Sequence, residues 1–172
     1  MLYLLDASVL ITANNSYYPV DQIPEYWEWL LHMGQSGRVK IPLEIFEEIK
    51  DGPKDAEKDL LFSWIQQDES KKALILDEQV DIANVQTVVI TGYGADLTDD
   101  EVEQIGRDPF LVAHAMTHKE DRCVVTVEVS KPSKKRHNRH LPDVCKEVGV
   151  HWCDPFVLNR DLGFRTNWKK RA

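Results

Sequence analysis

Carboxylate side chains recur along this chain at places where a metal ion could gather them. Asp6 follows an apolar run at the N-terminus, and Asp108 lies at the predicted start of a helix. Glu48 falls within a predicted helix, and Glu128 ends a second apolar run. Because a buried carboxylate is costly without a compensating charge, a shared cation is the natural partner of Asp6. Oxygen ligands of this kind suit Mg²⁺ or Mn²⁺, which leave coordination positions for phosphate and water.

Short apolar segments alternate with amphipathic ones along the chain. The alternation predicts α/β architecture, an α/β/α sandwich around a mostly parallel sheet. We expect one domain over residues 1–160 and a basic C-terminal tail over 161–172. Strands are predicted at 1–5, 39–41, 123–127 and 150–153. Helices are predicted at 24–33, 42–51, 55–67, 80–89, 98–106, 110–118 and 141–148 and from 155 onward, whereas 74–76 fits either a strand or a buried helix.

The predicted sheet gives the acids a common location. Ligands bind beyond the carboxyl ends of parallel strands, where Asp6, Asp108 and Glu128 are expected. Each acid also has a purely structural interpretation: Asp108 could cap its helix, Glu48 could be a solvated helix residue, and Glu128 could be a surface acid. Glu44 lies one helical turn before Glu48 and stays an alternative to it.

Composition limits the classes of function. The chain has 172 residues, with 21 basic and 29 acidic side chains and a net charge of −8. This charge argues against a uniformly basic surface for binding nucleic acid. Three unpaired cysteines, Cys123, Cys145 and Cys153, suit reduced thiols and a cytoplasmic location. No apolar stretch approaches the ~20 residues that span a bilayer, so no membrane association is expected.

One segment departs from the acidic average. Residues 131–140 carry five formal positive charges directly after Glu128: Lys131, Lys134, Lys135, Arg136 and Arg139. Lysine and arginine supply sequence-independent affinity for phosphates, so this segment could bind a nucleic acid beside the acidic site. A solvated, flexible loop is the alternative. A second pattern, His114 and His118 one turn apart, has metal-pair spacing but lacks a partner motif, and a solvated helix face is the favoured interpretation.

Four segments in order carry a resemblance to a known family. They are Leu5-Asp6-Ala7-Ser8-Val9-Leu10-Ile11, Glu48-Ile49-Lys50-Asp51-Gly52, Asp108-Pro109-Phe110-Leu111-Val112-Ala113-His114-Ala115 and Val124-Val125-Thr126-Val127-Glu128. In this order and spacing the chain resembles the PIN-domain ribonucleases, particularly the VapC-like toxins, over roughly residues 1–155.

The resemblance implies a function and roles for individual residues. Asp6, Glu48 and Asp108 would be catalytic, metal-binding acids, and Glu128 stands where the family most often has an aspartate. Ser8 would arrange the first acid. The implied activity is Mg²⁺- or Mn²⁺-dependent endonucleolytic cleavage of RNA, as the toxin of a toxin–antitoxin pair. A small antitoxin protein and a homodimer are the implied partners.

Two other functions compete with the nuclease. A phosphatase of the haloacid-dehalogenase type also begins with an aspartate at a strand end. It needs a second aspartate two residues later, where this chain has Ser8, so that class is disfavoured. A PIN-like module without catalysis, binding RNA or protein, is the remaining alternative.

Overall fold

A computed structural model describes residues 1–51 and 60–170, apart from the Asp51 side chain. The first part of the helix predicted at 55–67 lies outside the described residues. Gly52 of the second motif and Arg171 of the predicted tail lie outside them as well.

A four-stranded sheet, parallel throughout, forms the centre of the described structure. Its strands are β1 (Leu2–Leu5), β2 (Val39–Lys40), β3 (Arg122–Val125) and β4 (His151–Cys153), and their spatial order is β2-β1-β3-β4. Leu5 pairs with Val125 across β1 and β3. The central position of β1 and β3 agrees with their apolar sequences, interrupted only by Arg122 at the start of β3, since strands covered on both faces need no polar alternation.

Helical crossovers connect the parallel strands, as such strands require. The helices are α1 (Ala7–Thr12), α2 (Pro24–Gln35), α3 (Leu43–Asp51), α4 (Leu60–Ile65), α5 (Asp68–Leu74), α6 (Ile82–Thr87), α7 (Asp99–Ile105), α8 (Asp108–Met116), α9 (Leu141–Val148) and α10 (Pro155–Asp161). The predicted α/β/α sandwich is confirmed, with a sheet that is wholly rather than mostly parallel.

Several elements differ from their sequence-based predictions. A π-helical stretch, Ala13–Tyr17, continues α1, and another, Val88–Tyr93, continues α6 where β-branched residues crowd a regular helix. Residues 74–76, whose sequence fits either a strand or a buried helix, contain a helix end followed by a strand-like bridge. Leu74 ends α5, and Ile75 then makes an isolated parallel bridge to Ile41 beside β2.

Large aromatic side chains fill the core on the α2 side of the sheet. Tyr26, Trp27 and Trp29 are all buried, and Phe164 packs edge-on to Tyr26 with ring centroids 5.2 Å apart. Trp168 donates from its indole to the Glu25 carbonyl at 3.1 Å. The described part of the predicted basic tail, 161–170, therefore packs against α2. No helix in the described ranges has the length and apolar character needed to cross a bilayer.

Candidate metal and nuclease site

Asp6 lies at the carboxyl end of β1 and is 7% exposed. Its backbone N–H donates to the Val125 carbonyl at 3.0 Å, which extends the pairing of β1 with β3 by one bond. Its Oδ2 accepts a hydrogen bond from the Ser8 hydroxyl and a second from the Thr126 hydroxyl at 2.9 Å. Two neutral hydroxyls therefore orient this buried carboxylate, and neither supplies the positive charge that would offset its own.

Asp108 is the first residue of α8 and lies partly buried near the same end of the sheet. Burial raises its pKa well above the usual aspartate range. Other carboxylates raise it further, in decreasing order Asp6, Glu128 and Glu48. The Tyr93 hydroxyl, 3.4 Å from Oδ2, acts in the opposite direction. The dominant electrostatic influence on Asp108 is thus burial among like charges.

The structural alternative for Asp108 is wrong in this fold. The capping position of α8 is occupied by Arg107, and no side-chain hydrogen bond caps the helix. The Asp108 carboxylate is therefore not used to satisfy the amides of its own helix. Its position is explained by α8 entering the fold beside the carboxyl ends of β1 and β3.

Glu48 and Glu44 lie one turn apart on α3 but face different neighbours. The pKa of Glu48 is raised by partial burial and then by the charge of Asp6, while Arg107 lowers it. Glu44 instead places Oε2 3.2 Å from Nε2 of His114. Glu48 is therefore the α3 carboxylate in electrostatic contact with the acids at the sheet edge, and the Glu44 carboxylate is engaged with a histidine.

The structure corrects the sequence-based interpretation of His114. His114 is 2% exposed, so the solvated helix face proposed for His114 and His118 is wrong for the first of the pair. Its carbonyl accepts a hydrogen bond at 2.8 Å from Arg122, which also pairs with Glu78 at 2.7 Å. His118 is exposed beyond the end of α8, so the two imidazoles do not share a site.

Glu128 has a structural partner as well as acidic neighbours. Its Oε2 accepts the Leu141 backbone N–H at 2.6 Å, which satisfies an amide in the first turn of α9. Its own N–H donates to the Thr126 hydroxyl at 3.2 Å. Because Glu128 also raises the pKa of Asp108 and of Tyr93, its charge reaches the cluster although one oxygen is committed to α9.

Thr126 and Tyr93 are site residues that the sequence analysis missed. The Thr126 side chain is fully buried, and its hydroxyl connects the Asp6 carboxylate to the Glu128 backbone. A signal for it existed: the pairing of Leu5 with Val125 places the residue after β3 beside the residue after β1. Tyr93 had no comparable signal, because it reaches Asp108 from the end of a π-helical stretch.

The acids form a cluster dominated by like charges. Arg107 lowers the pKa of Glu48, but its guanidinium also donates to the Glu44 carbonyl at 2.6 Å and lies 3.6 Å from a Glu47 oxygen. Within the described residues, no group of three or more Asp, Glu, His or Cys side chains is already arranged to hold a metal ion. A Mg²⁺ ion commonly binds through one or two carboxylates and keeps several waters, so it does not require a closed protein cage. This hard-oxygen donor set fits such an ion.

The basic segment at 131–140 divides into two kinds of residue. Arg136 donates to both oxygens of Glu101 at 2.7 Å and to Asp96 at 2.8 Å. Arg139 donates to the Gly92 carbonyl at 2.6 Å. The side chains of the predicted nucleic-acid residues Lys131, Lys134 and Lys135 are exposed, and each lacks a side-chain partner within the described structure.

The same segment is anchored to α9 at its start. Asp143 accepts from the Ser130 hydroxyl at 2.6 Å and from the Lys131 backbone N–H at 2.7 Å. Although burial acts to raise the pKa of Asp143, these hydrogen bonds hold it below the usual range. The lysines are thus presented on a backbone tied down at both ends.

Fold and site together define an α/β/α protein with a cluster of carboxylates at the carboxyl edge of a parallel sheet. The chain belongs to the family described as a domain of unknown function, DUF4411, whose model matches residues 3–166. No curated protein and no solved structure matched the chain in similarity searches.

Proposed function

We propose that this protein is a Mg²⁺- or Mn²⁺-dependent endoribonuclease of the PIN-like type. The observation that carries the proposal is the convergence of acids from β1, α3, α8 and the end of β3 at the carboxyl edge of the sheet, and the raised pKa of Asp108 among these charges supports it. A site that concentrates like charges destabilises the metal-free protein, and a divalent cation is the ligand that relieves the repulsion. Perturbed carboxylates of this kind gather at functional sites more often than elsewhere.

The residues divide into roles in the proposed reaction. Asp6, Asp108 and Glu48 would hold the ion, while Ser8 and Thr126 orient Asp6 through its Oδ2. Glu128 would contribute its charge from the rim, since one of its oxygens bonds to α9. The bound ion would act as a Lewis acid toward a phosphodiester and toward water. Lys131, Lys134 and Lys135 would contact backbone phosphates.

Substitution of individual acids tests the proposal. Purified wild type is incubated with labelled RNA in Mg²⁺, Mn²⁺ or EDTA, alongside Asp6→Asn and Asp108→Asn. Each aspartate variant is expected to lose several kcal/mol of transition-state stabilisation, which corresponds to cleavage about 10²–10³-fold slower than that of wild type. Glu103→Gln is the matched control, because Glu103 is an exposed acid on α7 outside the cluster. Undiminished cleavage by both aspartate variants, or metal-independent cleavage by wild type, would contradict the proposal.

The same experiment resolves the choice between the two α3 carboxylates. Glu48→Gln is expected to reduce cleavage strongly, because Glu48 is electrostatically coupled to Asp6. Glu44→Gln is expected to leave the metal dependence of cleavage intact, because Glu44 contacts His114. The reverse result would assign the ligand role to Glu44.

The toxin assignment is a finer proposal that rests on the resemblance to VapC-like proteins. We infer a cytoplasmic toxin that acts as a homodimer and is neutralised by a small antitoxin protein. Expression of wild type is expected to arrest growth with RNA breakage, and Asp6→Asn is expected to be harmless. Growth unaffected by an active wild-type nuclease would remove the toxin assignment and leave the ribonuclease.

A module without catalysis is the second candidate. It is favoured by the absence, within the described residues, of a ready three-ligand group and by the commitment of Glu128 to the first turn of α9. Calorimetric titration with Mn²⁺ separates the two candidates. A nuclease should bind the ion in a manner that Asp6→Asn abolishes, whereas an inert module should bind none.

A further inference from the structure

A cavity of about 260 Å³ lies at the carboxyl edge of the sheet. Its lining comes from segments that follow the carboxyl ends of β1, β3 and β4, including Val9, Val127 and Phe156. Val127 and Val129 both line it, and Glu128 lies between them. The cavity and the acids are therefore neighbours along one edge, with the acids toward β2 and the cavity toward β4.

Aromatic rings dominate the mouth of this cavity. Tyr17 is 50% exposed and Phe156 is 49% exposed, and their ring centroids lie 5.2 Å apart at an interplanar angle of 78°. Val129, at the same cavity, is also exposed. Exposed apolar side chains scattered singly are ordinary, but rings gathered around a concavity indicate a binding site.

Asn159 is a polar residue in the wall of the cavity and is 8% exposed. Its Nδ2 donates to the Tyr18 hydroxyl at 3.5 Å, whereas its Oδ1 is enclosed by protein and has no hydrogen-bond partner within the described structure. The surface that a ligand can reach in the cavity is therefore mainly aromatic and apolar, which favours a flat group that stacks on rings.

We propose that this cavity binds an unpaired nucleobase of an RNA whose phosphodiester is held at the acids. The proposal rests on the proposed ribonuclease function and names a specificity subsite for it. Base faces stack on aromatic rings, and Tyr17 and Phe156 offer such rings at the cavity. The cavity is slightly smaller than the ~300–1,000 Å³ of sites for drug-sized ligands, which suits one planar ring system.

Binding measured without metal tests the subsite separately from cleavage. Fluorescence anisotropy in excess EDTA follows a short unstructured RNA with a central adenosine, and a second RNA of the same length with an abasic residue there. Phe156→Ala and Tyr17→Ala should each bind the adenosine RNA about tenfold more weakly than wild type. Ile82→Ala removes a comparably exposed apolar side chain, 58% exposed on α6, and should leave the affinity unchanged.

The abasic RNA sharpens the test. The abasic RNA should bind wild type about tenfold more weakly than the adenosine RNA does. Phe156→Ala should not weaken its binding further, because the abasic residue has no base to stack on that ring.

Two outcomes overturn the subsite as a whole. One is an RNA affinity that is the same for wild type, Phe156→Ala and Tyr17→Ala. The other is a change in sedimentation of these variants without a change in RNA affinity, which would assign the cavity to a protein contact. If base-dependent binding is found but no metal produces cleavage, the nucleobase site stands and the ribonuclease proposal fails. If metal-dependent cleavage is found but the cavity variants bind RNA as wild type does, the ribonuclease proposal stands and the nucleobase site fails.

Discussion

Two groups of carboxylates in this protein have opposite electrostatic surroundings. At the sheet edge, burial and neighbouring acids raise the pKa of Asp108 and of Glu48. Around the basic segment 131–140, hydrogen bonds from Arg136 lower the pKa of Glu101. Hydrogen bonds outweigh burial to lower the pKa of Asp143 as well. The same side-chain chemistry therefore costs stability in one region and contributes stability in the other.

The difference lies in which donors the fold supplies. Glu101 receives the Arg136 guanidinium, the Thr98 backbone N–H and the His137 ring, so its charge is satisfied within the chain. Asp6 receives only neutral hydroxyls, and Asp108 receives a long bond from Tyr93. An acid whose charge is met internally has a structural role. An acid left among like charges is available to a ligand that brings positive charge.

The largest expected effect is stabilisation by a divalent ion at the sheet edge. Mn²⁺ at 100 times its Kd should add about 2.7 kcal/mol to the free energy of unfolding, or about 5–10 °C in Tm for a chain of this size. Asp108→Asn should abolish this shift, since it removes a proposed ligand. Glu101→Gln should retain it, because Glu101 lies in the other region. Thermal unfolding with and without Mn²⁺ measures both, and an equal shift in wild type and Asp108→Asn would end the distinction.

The next effect separates free from paired cations within the basic segment. Replacing Lys131, Lys134 and Lys135 by glutamine should weaken RNA binding about tenfold at low salt and reduce the slope of log K against log salt by about 2. The double variant Arg136→Gln with Glu101→Gln removes a cation and its own partner and should leave the slope unchanged. Anisotropy titrations across a salt series provide the measurement. An unaltered slope in the lysine variant would contradict phosphate binding by this segment.

A smaller effect of opposite sign is expected for Asp108 in the metal-free protein. With EDTA present, Asp108→Asn should raise the free energy of unfolding by ~1 kcal/mol, or about 2–4 °C in Tm, because repulsion in the folded state is removed. The folded pKa of Asp108 lies above its unfolded value, so the cost is present above the folded pKa and is lost as pH falls below the unfolded one. The advantage of the variant should therefore disappear in acid, and a neutral-pH loss of stability would contradict the electrostatic explanation.

The two regions also differ in how far the sequence predicts them. Asp6 is predictable because an apolar run that ends in an acid implies a buried strand with a charge at its tip. The Thr98–Glu101 capping box is also predictable, because its spacing is visible in the sequence, and both of its hydrogen bonds are present. The pairing of Glu101 with Arg136, 35 residues away, is not predictable, since it depends on how α7 and the basic segment pack.

Burial on helices is the other part that local reasoning missed. The spacing of His114 to His118 predicts a solvated face, yet α8 has buried residues on all sides. A helix that is apolar all round belongs in the interior, and its one histidine then needs a partner, which Glu44 supplies. The composition of the whole helix was therefore a better guide than the spacing of two residues.

The smallest expected effect is local and concerns the hydrogen bonds that hold residues 131–140. Arg136 has a φ of 55°, in the left-handed region that non-glycine residues seldom adopt, and its bonds to Glu101 and Asp96 hold it there. Arg136→Gln should increase amide hydrogen exchange within residues 131–140 without altering exchange in β1 or β3, because local opening does not require unfolding of the sheet. Lys135→Gln is the matched control, since its exposed side chain makes no such bonds and its exchange should equal that of wild type. Unchanged exchange in Arg136→Gln would mean that Asp143 and its bonds to Ser130 and Lys131 hold the segment without the guanidinium, and the contrast between the two groups of acids would then rest on Asp143 alone.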